Sequence, residues 1–137
     1  MSDTAPLGFW RTARAHPHRL ACVDPDGTEH TAGALLARAN RLVHALRALG
    51  LRTGDGICGL TPNGSDGLTL YLAALQSGLY YTPVNWHLTG PEVGYITADS
   101  GAEALFVHER FAEQGVHGAD AARLPKDARI GFGDVPG

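Results

Sequence analysis

Apolar residues in this 137-residue chain recur at two spacings, and the spacings alternate along it. The clearest run covers residues 31–49, where Leu35, Leu36, Ala39, Leu42, Val43, Leu46 and Leu49 fall three and four apart. That period puts them on one stripe of a helix, with Arg38, Arg41, His44 and Arg47 on the other side. Leu42 and Leu46 are expected to be buried, and Arg41 and Arg47 to face water. Gly50 reads as a left-handed C-cap, with Leu51 folding back on the last turn. A second stripe of Leu68, Tyr71, Leu72 and Leu75 predicts a helix over 65–76, ended by Gly78. A third helix starts at a capping box, Thr89 with Glu92 three residues on, and runs to about Asp99 before Gly101.

Between these helices lie short branched and aromatic runs at 56–60, 79–84 and 104–107, which read as strands. Strands alternating with helices require crossover connections, and so a parallel sheet. Ahead of that pattern, residues 6–15 read as a short helix stopped before Pro17, because proline disfavours helix in the residue preceding it. Residues 19–23 and 28–30 flank the turn Asp24-Pro25-Asp26-Gly27 and predict a small hairpin. Beyond residue 110 the pattern fades. Residues 111–122 could form a helix weakened by Gly115 and Gly118, and 124–137 reads as loop and linker. The expected divisions are 1–17, an N-terminal helix; 18–30, the hairpin; 31–110, the α/β layer; and 111–137, an irregular end.

Composition narrows the function classes. The formal charge is −3 and Lys126 is the sole lysine beside ten arginines, which gives no footprint for nucleic acid. No stretch reaches the roughly 18 apolar residues of a membrane span, and residues 1–14 lack the apolar core of a signal peptide. A cytoplasmic protein is expected. Cys22 and Cys58 have no metal-like spacing and are expected to be buried thiols.

Three patterns imitate functional motifs. Gly54-Asp55-Gly56-Ile57-Cys58-Gly59 matches G-x-G-x-x-G, but it follows a helix and enters a strand, the reverse of a dinucleotide site. The loop Thr61-Pro62-Asn63-Gly64-Ser65 ends a strand and opens a helix, a place that binds anions. Asn63 and Ser65 are read there as ordinary N-caps. His16 and His18 form an H-x-H pair without a third ligand nearby, and are expected at the surface. No residue is assigned a catalytic, cofactor-binding or metal-binding role.

Residues 75–85, Leu75-Gln76-Ser77-Gly78-Leu79-Tyr80-Tyr81-Thr82-Pro83-Val84-Asn85, resemble the second core motif of adenylate-forming enzymes. The following Trp86-His87-Leu88-Thr89, Glu92, Tyr95-Ile96, Asp99-Ser100-Gly101 and Ala104-Leu105-Phe106 resemble the fatty-acyl-CoA synthetase branch. Arg52-Thr53-Gly54-Asp55 is similar to a turn of that family. One departure stands at the first core motif, T-[YF]-x-E-L, where Ala32 and Ala34 replace the aromatic and the glutamate.

The resemblance covers nearly the whole chain. It implies the first portion of the large N-terminal domain, a three-layer-type parallel sheet with crossover helices. It also implies an enzyme that converts a carboxylic acid and ATP, with magnesium, into an acyl-adenylate and then an acyl-CoA. The family's phosphate loop and catalytic lysine have no match in these 137 residues, and Lys126 lies in no matching context. The chain alone is therefore expected to be inactive, to bind no cofactor, and to have the remainder of its own enzyme as partner. Uncovered strand edges, at 104–107 or Tyr80-Tyr81, are expected to make it self-associate. A stand-alone assembly module and an amino-acid adenylation domain are the alternatives.

Overall fold

The computed structural model describes residues 8–136. Helix α1 spans Phe9–Ala15; Pro6 and Leu7, the expected start of this helix, lie outside the described residues. Strands β1 (Leu20–Val23) and β2 (Glu29–Thr31) pair antiparallel as the expected hairpin. Thr31 then caps α2 (Ala32–Ala48), its Oγ1 accepting the Ala34 N–H at 3.2 Å. With Ala34 where a capping box needs a glutamate, only half of the box is built. Ala34 is exposed. Ala34→Glu should therefore supply the missing half and stabilise the protein by about 0.3–1 kcal/mol. A thermal melt reads this as a Tm raised by a few degrees; an unchanged Tm would contradict it.

At its other end α2 closes as expected. Gly50 takes φ +85°, its N–H donates to Arg47 O at 2.9 Å, and the Leu51 N–H donates to Leu46 O at 3.2 Å. Leu35, Ala39, Val43 and Leu46 form the buried stripe, while Arg41 and Arg47 face water. Leu42 is only half-buried, because it lies on the flank of that stripe.

The remaining elements are β3 (Gly56–Leu60), α3 (Ser65–Gln76), β4 (Tyr80–Pro83), α4 (Gly90–Asp99), β5 (Ala102–His108), α5 (Ala112–Ala121) and β6 (Arg129–Phe132). The sheet has the order β4-β3-β5-β6, with every pairing parallel. The chain moves outward from β3 to β4, then crosses back over β3 to β5. Right-handed crossovers therefore put the connecting helices on opposite faces. Side chains alternate accordingly. Ile57, Ala104 and Phe106 meet α2 and α3 on one face; Cys58, Leu60, Leu105 and Val107 meet α4 and α5 on the other. Because both faces are covered, the middles of the inner strands are apolar, and Glu103 and His108 stand only near the ends of β5.

Several expectations need correction. The side of α3 turned to the sheet is Thr69, Leu70, Ala73 and Ala74, with Leu72 also buried; Tyr71 and Leu75 are 45% and 46% exposed. Small side chains let this helix lie close to the strands, and the larger ones project past it. Residues 129–132 are a strand rather than linker, paired with β5 in register from Leu105↔Arg129 to His108↔Phe132. That pairing makes β5 an inner strand, so residues 104–107 are no edge; β4, with Tyr80 at 74% exposure, is one. Cys58 is buried, its thiol pushed up by burial, but Cys22 is only half-buried.

Gly115 and Gly118 also read differently in place. A Cβ on Gly118 would stand 2.5 Å from Val93 Cγ1, and one on Gly115 would overlap Val107 Cγ1. A Cβ on Gly94 of α4 would in turn stand 2.5 Å from Ala121 Cβ. These glycines cost helix propensity and gain the close approach of α5 to α4 and the sheet. Among the described residues no helix is long and apolar enough to cross a membrane.

Candidate functional site

In doubly wound sheets ligands bind outside the carboxyl ends of the strands, where the strand order reverses. Here that switch point lies between β3 and β5. Two clefts open along the same rim.

The larger, about 630 Å³, lies at the ends of β3 and β4 beside α3, between Thr61, Asn63, Leu68, Tyr71, Tyr81 and Trp86. Its floor depends on Gly59, where a Cβ would stand 2.5 Å from the Tyr81 hydroxyl. Burial pushes the Tyr81 phenol above its usual pKa, with the Thr61 hydroxyl opposing the shift. The loop after β4 is held in place by aromatic packing. Trp86 stacks on His87 at 3.5 Å and on Phe111 at 5.3 Å between ring centroids. The Arg110 guanidinium lies 6.0 Å from the Trp86 ring, and Gln114 Nε2 donates to Trp86 O at 3.1 Å.

The smaller cleft, about 340 Å³, sits at the switch point, between the hairpin turn and the ends of β3 and β5. Its walls are charged. The Arg38 guanidinium meets Asp66 Oδ1 at 2.6 Å, and His108 Nε2 stands 3.6 Å from Asp66 Oδ2. His108 Nδ1 accepts the Arg110 N–H at 3.1 Å, which leaves the ring proton on Nε2, facing Asp66.

The start of α3 corrects the expectation for residues 61–65. Neither Asn63 nor Ser65 caps the helix; the N-cap residue is Gly64, which has no side chain to do so. The cap comes from the hairpin, 41 residues away in sequence: Asp24 Oδ1 accepts the Ser65 N–H at 2.7 Å, and Oδ2 accepts the Ser65 hydroxyl at 2.8 Å. His30 Nε2 stands 2.6 Å from the same Oδ2. The Ser65 N–H, with the His30 contact, lowers the Asp24 pKa to about 2. Such a carboxylate is a poor general base near neutral pH. Ser65 is 5% exposed. Serine, aspartate and histidine therefore build a helix cap here, not a nucleophile.

The other imitations resolve as well. Gly54 takes φ +95° in the turn before β3, so the G-x-G-x-x-G match is a turn leading into a strand. His16, His18 and Lys126 are exposed; Lys126 lies just before β6, at the end of the sheet opposite the rim. Sequence reasoning missed two polar groupings here, Asp24 with Ser65 and His30, and Arg38 and His108 about Asp66. Their links span the hairpin, two helices and a strand end, and no local spacing marks them.

The family model for AMP-binding enzymes matches residues 9–131. A feruloyl-CoA synthase of Amycolatopsis is 37% identical over 94% of this chain and 29% of its own length. A long-chain-fatty-acid–CoA ligase of Mycobacterium tuberculosis is 34% identical over 68% of this chain and 19% of its own. Among solved structures, a putative long-chain-fatty-acid CoA ligase from Rhodopseudomonas palustris superposes with a TM-score of 0.82 at 27% identity. That alignment covers 94% of this chain and 32% of that one. The chain thus spans less than a third of the length of each of these relatives. The sequence match and the backbone superposition agree, and the chain belongs to the AMP-binding enzyme family.

Proposed function

We propose that this chain is the N-terminal part of an ATP-dependent, AMP-forming acid–CoA ligase, and that it builds an α/β layer and its rim while the reacting groups lie in later sequence. The observation that carries this reading is the family match across residues 9–131, at under a third of a relative's length. In the whole enzyme a carboxylate oxygen would attack ATP, giving acyl-adenylate and pyrophosphate; the CoA thiol would then displace AMP. Charge supports leaving ATP outside this chain's own sites. The N-terminus of α3 is already occupied by the Asp24 carboxylate, and Asp26 and Asp66 border the same cleft. A polyphosphate would meet repulsion there, so no step is assigned to these residues.

The acid is proposed as fatty or arylpropenoic. The first follows from the motif at Trp86-His87, the second from the 37% identity to a feruloyl-CoA synthase. The remainder of the enzyme would cover the exposed side of α3 and the sheet edges. The chain alone would self-associate, and light scattering would give a mass above 14.4 kDa. Pro83 lacks an N–H, which blunts the β4 edge and makes β6 the better pairing edge.

The direct test is the full-length protein with ATP, magnesium, CoA and, in turn, a long-chain fatty acid, ferulate and an amino-acid panel. Mass spectrometry should find an acyl-CoA thioester with one of the first two. Adenylate from amino acids only would select the adenylation-domain reading, and no AMP with any acid would overturn the ligase.

A further inference from the structure

The hairpin stands outside both apolar cores. None of its residues fills either face of the sheet, and Leu20 and Val23 are 51% and 52% exposed. Its pairing is irregular, with a register shift between Leu20 and Cys22. Its base is tied by backbone: the Ala32 N–H donates to Arg19 O at 2.8 Å and the Gly33 N–H to Pro17 O at 2.9 Å. Its tip is tied to α3 by one carboxylate, through the two Asp24–Ser65 hydrogen bonds. The His30 contact to Asp24 lies within the hairpin and adds nothing to that attachment.

We infer that the hairpin is a strap over the switch-point cleft, that its tip opens and closes as a unit while the α/β layer stays folded, and that Asp24 is the latch. The physical reason is the asymmetry of what opening exposes. Lifting the tip uncovers no core side chain; it exchanges two hydrogen bonds to a charged acceptor for hydrogen bonds to water, a modest net loss. Freeing β3 or β5 instead breaks both faces of the core, so those strands open only with global unfolding. The open state bares the Ser65 N–H, Asp66 and His108 at the rim. The latch therefore governs access to that cleft. The inference is independent of the ligase reading.

Hydrogen exchange read by mass spectrometry on the intact protein tests it with two variants. Asp24→Ala removes the acceptor. Gly64→Ala leaves the hairpin untouched but places a Cβ 3.0 Å from Asp24 Oδ1. The φ of 161° at Gly64 is extended backbone that alanine adopts without strain. In the unmodified protein, amides of residues 22–30 should exchange well ahead of β3 and β5. In low urea the hairpin rates should hold nearly constant while those of β3 and β5 climb, and each variant should speed the hairpin by roughly five- to thirtyfold with that insensitivity to urea kept. Three outcomes would overturn the proposal: hairpin amides exchanging at the β3 and β5 rate in the unmodified protein, hairpin rates that climb with urea as steeply as those of β3 and β5, or variants that leave the hairpin unchanged.

Discussion

Phe106→Ala is expected to cost about 3–5 kcal/mol, a large share of the roughly 5–15 kcal/mol that holds an ordinary domain folded. Phe106 is 1% exposed in the middle of β5, between β3 and β6, and is the largest fully buried side chain on the α2–α3 face. Its ring lies 6.2 Å from that of Phe132, so truncation also removes an aromatic contact across the β5–β6 pair. The packed sheet cannot collapse into the space left. Urea denaturation should show the midpoint falling sharply with an unchanged slope. Leu46→Ala, also fully buried, should cost about 2–5 kcal/mol; half-buried Leu42 should cost less, and Arg47→Ala almost nothing. A loss below about 1 kcal/mol at Phe106 would show that this face is not filled as described.

Gly118→Val should be nearly as damaging, for the opposite reason. Its Cβ would press on Val93 Cγ1 at 2.5 Å, and the branched methyls have no room beyond it. Either α5 lifts from α4, or Val93 leaves its place under the sheet. Overpacking of this kind costs about 1–3 kcal/mol, and more where backbone must move. Valine is intrinsically the better helix former by a few tenths of a kcal/mol. If propensity governed α5, the variant would therefore be neutral or stabilised. A lowered melting temperature, with loss of protection in both helices, separates packing from propensity.

That contrast shows where the sequence was legible. The bounds of α3 follow from its loop and its terminal glycine, and Ser65–Gln76 is what the pattern predicts. Its buried side does not follow, because a helix on a fully covered sheet is apolar on more than one side. Alanine 73 and 74 are then chosen by closeness to the strands, not by hydrophobicity. Strand β6 was illegible because Arg129-Ile130-Gly131-Phe132 has little strand character alone and gains its ladder only from β5. Gly115 and Gly118 misled for the same reason: their partners, Val107 and Val93, lie on other elements. The polar rim was the least legible part. Asp24 reads as a turn residue, yet its carboxylate caps a helix 41 residues away, a link visible only once the hairpin is seated.

Under the proposed function this chain supplies scaffold, while the chemistry of the ligase lies in later sequence. Acid-dependent ATP–pyrophosphate exchange measures that directly. The full-length protein should exchange label with the acid it activates, and the purified 137-residue chain should stay at background with every acid. Exchange by the chain alone, abolished when Phe106→Ala unfolds it, would contradict the claim.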